Sequence, residues 1–225
     1  YRPARPFPTF RAMLTLYGEN LWDSPFVFTA LVALEEKGLK YDVRTFRLSQ
    51  GEHRSEPFRS QSVTGRVPAI DHDGFVLAES VAIVEYLDEV FPAPEYRRLL
   101  PADTRERARA RQVLGWLRSD LTNLRRDRST ETMFFGRARE ALSEGAQRDV
   151  ERLFRIAALL LDDGARPTLF SEWSIADADL AFMLGRLRRN GDLMPAFLER
   201  YVDATFERPS ARVFLEMPRP PSSDE

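Results

Sequence analysis

The rhythm of apolar and polar positions changes along the chain, and the changes divide it. The run "MLTLY" at 13–17 is short, unbroken and apolar, which predicts a buried strand. "SPFVFTALVALEEKG" follows. It predicts a helix over 24–38, opened by Pro25 at the first helical position and stopped by Gly38. "YDVRTFRL" at 41–48 alternates and is rich in strand formers. "GEHRSEPFRSQS" is polar and irregular, and predicts a loop with a short helix. "VPAID" and "FVLAE" flank Asp73-Gly74, a hairpin turn signal. "SVAIVEYLDEVF" at 80–91 spaces Ile83, Val84, Leu87 and Val90 for one helical face. The order is β-α-β-α-β-β-α. Its strand-helix-strand opening calls for a right-handed crossover and parallel pairing, and the hairpin then adds antiparallel strands.

A Pro-rich break, "FPAPEYRRLLPAD", spans 91–103 and predicts a linker at 92–102. Beyond it no strand pattern recurs. Helical stretches cover 103–128, 144–163, 174–190, 194–205 and 209–217. The reading is an α/β N-terminal domain over 13–91 and an all-α C-terminal domain over 103–217. The tail "PRPPSSDE" at 218–225 is expected to be disordered. The opening "YRPARPFPTFRA" is basic and Pro-rich and lacks the apolar core of a signal peptide. It is expected to be a disordered leader or an added extension over 1–12, with Met13 as a candidate start.

Composition narrows the function classes. Hydrophobic residues make up 43% and charged residues 30%, an ordinary globular balance. The net charge of -2 gives no pull toward nucleic acid or anionic lipid. "RERARAR" at 105–111 and "RRDR" at 125–128 are interleaved with acids, so both are expected on a solvated or dimer-facing helix surface. The longest apolar run, "IAALLL" at 156–161, falls far short of the ~18 residues of a membrane span. Cysteine is absent, which excludes disulfides and a cysteine nucleophile from this chain. Two histidines far apart give no reason to expect a metal site.

Five features carry candidate chemistry, and each has a plain alternative. Ser24 directly precedes Pro25, as a helix cap or as a reactive hydroxyl. Pro68 opens a strand, as an edge proline or as a cis peptide that turns the Val67 backbone outward. Glu79-Ser80 opens a helix. Ser80 there is a good cap, while the free N–H groups suit a carboxylate and Glu79 suits an ammonium group. Ser174 and Asp177 have the spacing of a capping box, with a catalytic acid as the other reading of Asp177. Trp116, Phe134 and Phe135 serve either as core or as an apolar lining.

The stretches "SPF" at 24–26, "ALEEKGLKYDV" at 33–43, "GRVPAIDHDGFVLAESVAIVEYLDE" at 65–89 and "SIADADL" at 174–180 resemble the glutathione S-transferase family. The resemblance covers residues 13 to about 215 and is nearest to serine-type bacterial and plant tau-like members. It implies a thioredoxin-like domain plus a helical domain, a cytoplasmic homodimer, and glutathione as co-substrate without a metal. The implied reaction is attack of the glutathione thiolate on a hydrophobic electrophile or an organic hydroperoxide, in detoxification. Ser24 would stabilise that thiolate, with Tyr17 as the rival donor. Val67, before the cis-proline, would pair with the cysteinyl part of glutathione, and Glu79 and Ser80 would hold the γ-glutamyl end. Arg66 and His53 would serve as basic contacts, His53 toward the glycine end. In the family the Ser174–Asp177 motif is structural. The different-class alternative is a non-catalytic module that keeps the fold to bind ligands or partners.

Overall fold

The computed structural model describes residues 14–136, 138 and 140–220, so the leader at 1–12, Met13 and the last five residues lie outside it. Strand β1 (Leu14–Glu19) runs into helix α1 (Pro25–Glu36) and then strand β2 (Tyr41–Phe46). After two short 3-10 turns come α2 (Phe58–Gln61), the hairpin β3 (Ala69–His72) and β4 (Phe75–Ala78), and α3 (Ser80–Val90). The sheet order is β2-β1-β3-β4. β1 and β2 are parallel, and β3 is antiparallel to both β1 and β4.

Strand alternation gives the sheet two faces. Leu14, Leu16 and Ile70 face α1 and α3 in the main core. Tyr17 and Ala69 join Phe58 and Ala78 in a smaller cluster on the other face. β2 is an edge strand and largely exposed.

α1 is the axis of the molecule. Every residue from Val27 to Leu34 is buried, the mark of a helix enclosed on all sides. α3 and the sheet cover one side. α8 (Ile175–Asn190) and α10 (Pro209–Leu215) cover the other. On α3, Ile83, Val84 and Leu87 reach the core, but Val90 at the last turn is 41% exposed and does not join that face. The chain leaving α3 is anchored by Lys37, whose Nζ donates to Asp88 Oδ1 at 2.7 Å and to the Phe91 carbonyl at 2.8 Å.

The remaining elements are helical: α4 (Thr104–Ser119), α5 (Thr122–Asp127), α6 (Thr130–Phe134), α7 (Glu144–Leu160) and α9 (Ala196–Phe206), with α8 and α10. The helical stretch expected over 103–128 is broken. Leu121 takes φ 60°, and its side chain is fully buried. The break changes the reading of "RRDR". Arg128 is 3% exposed, forked onto Asp192 at 2.7 and 2.8 Å, and Arg125 is half-buried. Arg128 thus meets Asp192 just beyond α8, and Arg125 lines a space with Met183 and Arg186 of α8, so neither lies on a solvated helix surface, whereas Arg126 is exposed. The described start of the tail differs too. Arg219, within the stretch expected to be disordered, donates to the Trp22 carbonyl at 3.0 Å and lies 4.0 Å over the Phe134 ring.

At the start of α8 the capping box is present. Asp177 is fully buried and accepts from Ser174 N at 2.9 Å, Leu169 N at 2.8 Å and Tyr201 Oη at 3.0 Å. Burial still pushes the Asp177 carboxyl above its ordinary range, and burial with that neighbouring carboxylate pushes the Tyr201 phenol well up. The motif joins α8 to α9, with Asp177 fully buried between them.

Candidate active site

β1 delivers the chain to the N-terminus of α1, and Glu19 shapes the five-residue turn between them. Its side chain is 4% exposed. It accepts the N–H of Trp22 at 2.6 Å, of Asp23 at 3.1 Å and of Ser24 at 3.1 Å. Three donors in sequence would otherwise be orphaned near the helix start. Burial nevertheless raises the Glu19 carboxyl above its ordinary value. Trp22 sits in the left-handed region at φ 53°, which folds the turn back. No motif singled out Glu19; the only hint is an acid placed just before a turn that leads into a helix.

Ser24 caps α1. Its Oγ accepts from Val27 N at 3.4 Å, a long and weak contact. No hydrogen bond among the described residues uses the Ser24 hydroxyl as a donor, so its hydrogen is free for a ligand. Tyr17, the rival, is 7% exposed and stacks on Phe46 with ring centroids 5.8 Å apart. Strand alternation sends it to the sheet face opposite Leu16 and α1.

A cleft of about 230 Å³ opens beside the α1 N-terminus. Arg66, Val67, Glu79 and Ser80 all line it, together with Phe26 and Arg118. Four residues singled out from the sequence thus share one cleft. Ser24 is not itself on its wall; Phe26, two residues on, is. The Val67-Pro68 bond is cis, and Val67 precedes the β3 ladder, which starts at Ala69. His53 lines a neighbouring cleft of about 460 Å³ with Arg54, Arg59 and Arg66. Arg66 belongs to both, and His53 Nδ1 is buried without a partner.

One expectation is corrected here. Ser80 does not cap α3; it is the first helical residue, and Glu79 occupies the cap position without a side-chain hydrogen bond. Glu79 takes φ 71° and ψ 112°, a sparsely populated conformation for a residue with a Cβ. The N–H groups of the first turn are therefore left without a side-chain acceptor. Ser80 is 4% exposed, and its Oγ accepts from Arg118 Nη2 at 3.0 Å. With an acceptor site taken by a cation, the Ser80 hydroxyl can turn its hydrogen to a ligand carboxylate.

Arg118 was invisible in the sequence, because it lies on α4, 38 residues from Ser80. It also donates to Asp179 Oδ2 at 2.5 Å, and Asp179 Oδ1 accepts from Thr29 of α1 at 2.7 Å. This chain of contacts ties α1, α3, α4 and α8 together at the cleft. Trp116 and Phe134 line neither cleft. The Trp116 indole donates to Asp120 at 3.0 Å, and Phe134 packs on Phe182 and Phe214.

Two family models match the chain: glutathione S-transferase N-terminal domain over residues 12–89, and glutathione S-transferase C-terminal domain over residues 103–218. The chain belongs to the glutathione S-transferase family. Its fold is that of the family: a thioredoxin-like domain followed by a helical one. A solved glutathione transferase homologue from Burkholderia GL BGR1, with bound glutathione, is 40% identical, with a TM-score of 0.73 over 91% of this chain and 96% of that one. Among curated relatives, a probable maleylacetoacetate isomerase 2 of Drosophila melanogaster is 30% identical over 192 residues, 84% of this chain and 82% of that protein. A maleylpyruvate isomerase of Ralstonia sp is 34% identical over 102 residues, 45% of this chain and 47% of that protein. No described helix is long and apolar enough to cross a membrane. Among the described residues, no three His, Asp or Glu side chains group as metal ligands do.

Proposed function

We propose that this protein is a serine-type glutathione transferase, in which Ser24 donates a hydrogen bond to the thiolate of bound glutathione. The observation that carries the reading is the Ser24 hydroxyl at the α1 N-terminus, with its hydrogen uncommitted, next to the cleft that gathers Arg66, Val67, Glu79 and Ser80. Glutathione's γ-glutamyl carboxylate would take the free N–H groups of α3 and the Ser80 hydroxyl, with Arg118 behind it. Glu79 would hold the ammonium group. The Val67 backbone would pair with the cysteinyl residue, which brings the sulfur toward Ser24. Arg66 and His53 would meet the glycine carboxylate.

A free thiol ionises near ~8.5, and only the thiolate attacks well. A hydrogen bond to a charged acceptor is worth ~1.5–3 kcal/mol, enough to lower that value by roughly one to two units. The α1 N-terminus acts in the same direction. The thiolate then displaces a leaving group from an electrophilic carbon, or attacks a hydroperoxide oxygen, breaking the O–O bond and releasing the alcohol. In the latter case a second glutathione converts the sulfenic acid to glutathione disulfide and water. The names of the curated relatives favour a second reading, in which the thiolate adds to a double bond and departs again, so that glutathione is regenerated. The family's usual homodimer is part of either reading.

The test is calorimetric titration with glutathione, followed by chlorodinitrobenzene, cumene hydroperoxide and a cis-enedione acid as acceptors. Mass spectrometry of the products separates conjugation from isomerisation, since only the conjugate retains glutathione. Binding of glutathione without turnover of any acceptor would make the protein a carrier; no binding would end the proposal.

A further inference from the structure

Arg186 on α8 is 5% exposed, yet no described carboxylate pairs with it. Its Nη1 donates to the Arg128 carbonyl at 2.8 Å, and its Nε is buried without a partner. A buried guanidinium is normally matched by a counter-charge, because removing it from water is costly. Here burial pushes it down to about 10, with Arg125 adding to the fall and Asp23 opposing it. Arg125 on α5 has the same character. Its Nη2 reaches the Leu117 carbonyl, its Nε is buried without a partner, and it makes no ion pair among the described residues.

Both arginines, with Arg118 and Asp179, line one narrow cavity of about 30 Å³. The Arg118 Nε is likewise buried and unpartnered. Three guanidinium groups thus face one carboxylate, and Arg118 and Thr29 already hold that carboxylate. The lining carries an excess of positive charge. Its size also narrows the occupant. A single water needs about 10–15 Å³, so the space admits a small polar group. Phe26, Phe182 and Met183 give the rest of the lining an apolar flank. Phe26 and Arg118 also line the cleft that holds Glu79 and Ser80, so the two spaces adjoin.

We propose that this arginine-lined cavity anchors the carboxylate of the second substrate, so that the electrophile is an organic acid with an apolar body. The carboxylate sits among Arg118, Arg125 and Arg186, and the body passes over Phe26 toward the α1 N-terminus. For its reaction the proposal rests on the glutathione-transferase reading; the binding of an organic carboxylate does not.

The experiment compares benzoate with its neutral isostere benzamide by calorimetry in chloride-free buffer, with and without glutathione. Benzoate should bind more tightly by roughly ten- to a hundredfold, the range of a charge-assisted hydrogen bond. Arg186→Gln and Arg125→Gln should each remove most of that preference and leave benzamide and glutathione affinities unchanged. If Arg186→Gln fails to fold, the half-exposed Arg125→Gln carries the comparison. A kinetic arm uses 4-(chloromethyl)benzoate and its methyl ester, each normalised to its uncatalysed reaction with glutathione; the acid should be favoured and the preference lost in the variants. Equal affinity for benzoate and benzamide, or a preference that survives both substitutions, overturns the anchor. So does a loss of glutathione affinity as large as the loss for benzoate, because the arginines would then belong to the glutathione cleft. Benzoate discrimination without any conjugation would sink the transferase reading and keep the anchor. Conjugation of the ester and the acid alike would do the reverse.

Discussion

The carboxylate of Glu19 holds the backbone N–H of Ser24 at 3.1 Å, and holds those of Trp22 and Asp23 with it. A side chain at the end of β1 thereby sets the position of the proposed thiolate donor five residues later. Glu19→Ala should leave the fold intact but free this turn. Hydrogen exchange at the Trp22, Asp23 and Ser24 amides should then accelerate well above that of the α1 interior. Unchanged protection of those three amides would show that the turn is held by other contacts.

The same residue gives a pH dependence. Burial places the Glu19 carboxyl above its ordinary value in the folded state. Its contribution to stability is therefore complete below the unfolded value, about 4.3, and is lost as pH rises through the higher folded value. Glu19→Gln removes this titration. The stability of wild type relative to Glu19→Gln should fall as pH rises from 4.3 upward, then level off. Urea unfolding of both proteins at stepped pH measures it, and a relative stability that rises over that window would contradict the assignment.

Ser24→Ala tests the chemistry. The thiol of bound glutathione should titrate roughly one to two units higher than in wild type, and the pH profile of turnover should move with it. Glutathione affinity should change little, because the γ-glutamyl contacts lie elsewhere. Thiolate absorbance in the binary complex reads the midpoint directly. An identical midpoint would reduce Ser24 to a helix cap.

Glu79→Ala with Ser80→Ala should weaken glutathione binding severely while the melting transition survives, since α3 is anchored by Ile83, Val84 and Leu87. Calorimetry decides it. Ser80→Ala alone also frees Arg118 Nη2, so its effect should exceed that of one neutral hydrogen bond, about 0.5–1.5 kcal/mol. An unchanged affinity in the double variant would move the glutathione site elsewhere.

Asp177→Ala should act on stability alone. The carboxylate satisfies two buried backbone N–H groups and the Tyr201 phenol. An orphaned buried donor costs ~1–3 kcal/mol, so the two backbone N–H groups by themselves give a loss of roughly 2–6 kcal/mol, more than a surface cap would give. The thiol titration of bound glutathione should not move. Lost turnover with an intact unfolding curve would make Asp177 catalytic after all.

The sequence by itself determined the order of the N-terminal elements and most of the helices that follow, but not the break at Leu121 or helix α6. Periods of two and of 3.6 are local, and so are the stop signals at Gly38 and Asp73-Gly74. Val67, Glu79 and Ser80 are singled out by the family resemblance; the local pattern alone leaves an edge proline and a helix cap as plain alternatives. Local patterns said nothing of Arg118, Arg125 or Arg186. In the sequence they look like the charges of any helix surface, and "RRDR" reads as a solvated or dimer-facing one. Their meaning depends on where α4, α5 and α8 cross, and helix packing over such distances is set by the summed fit of many side chains. The same holds for Ser80, whose partner is an arginine from the other domain and not its own helix end. Glu19 falls between the two cases: it is near Ser24 in sequence, but only the positive φ of Trp22 folds the turn back onto its carboxylate. Tertiary structure alone decided which charges face water and which face the cleft, because burial is a property of packed surfaces and not of any stretch of chain.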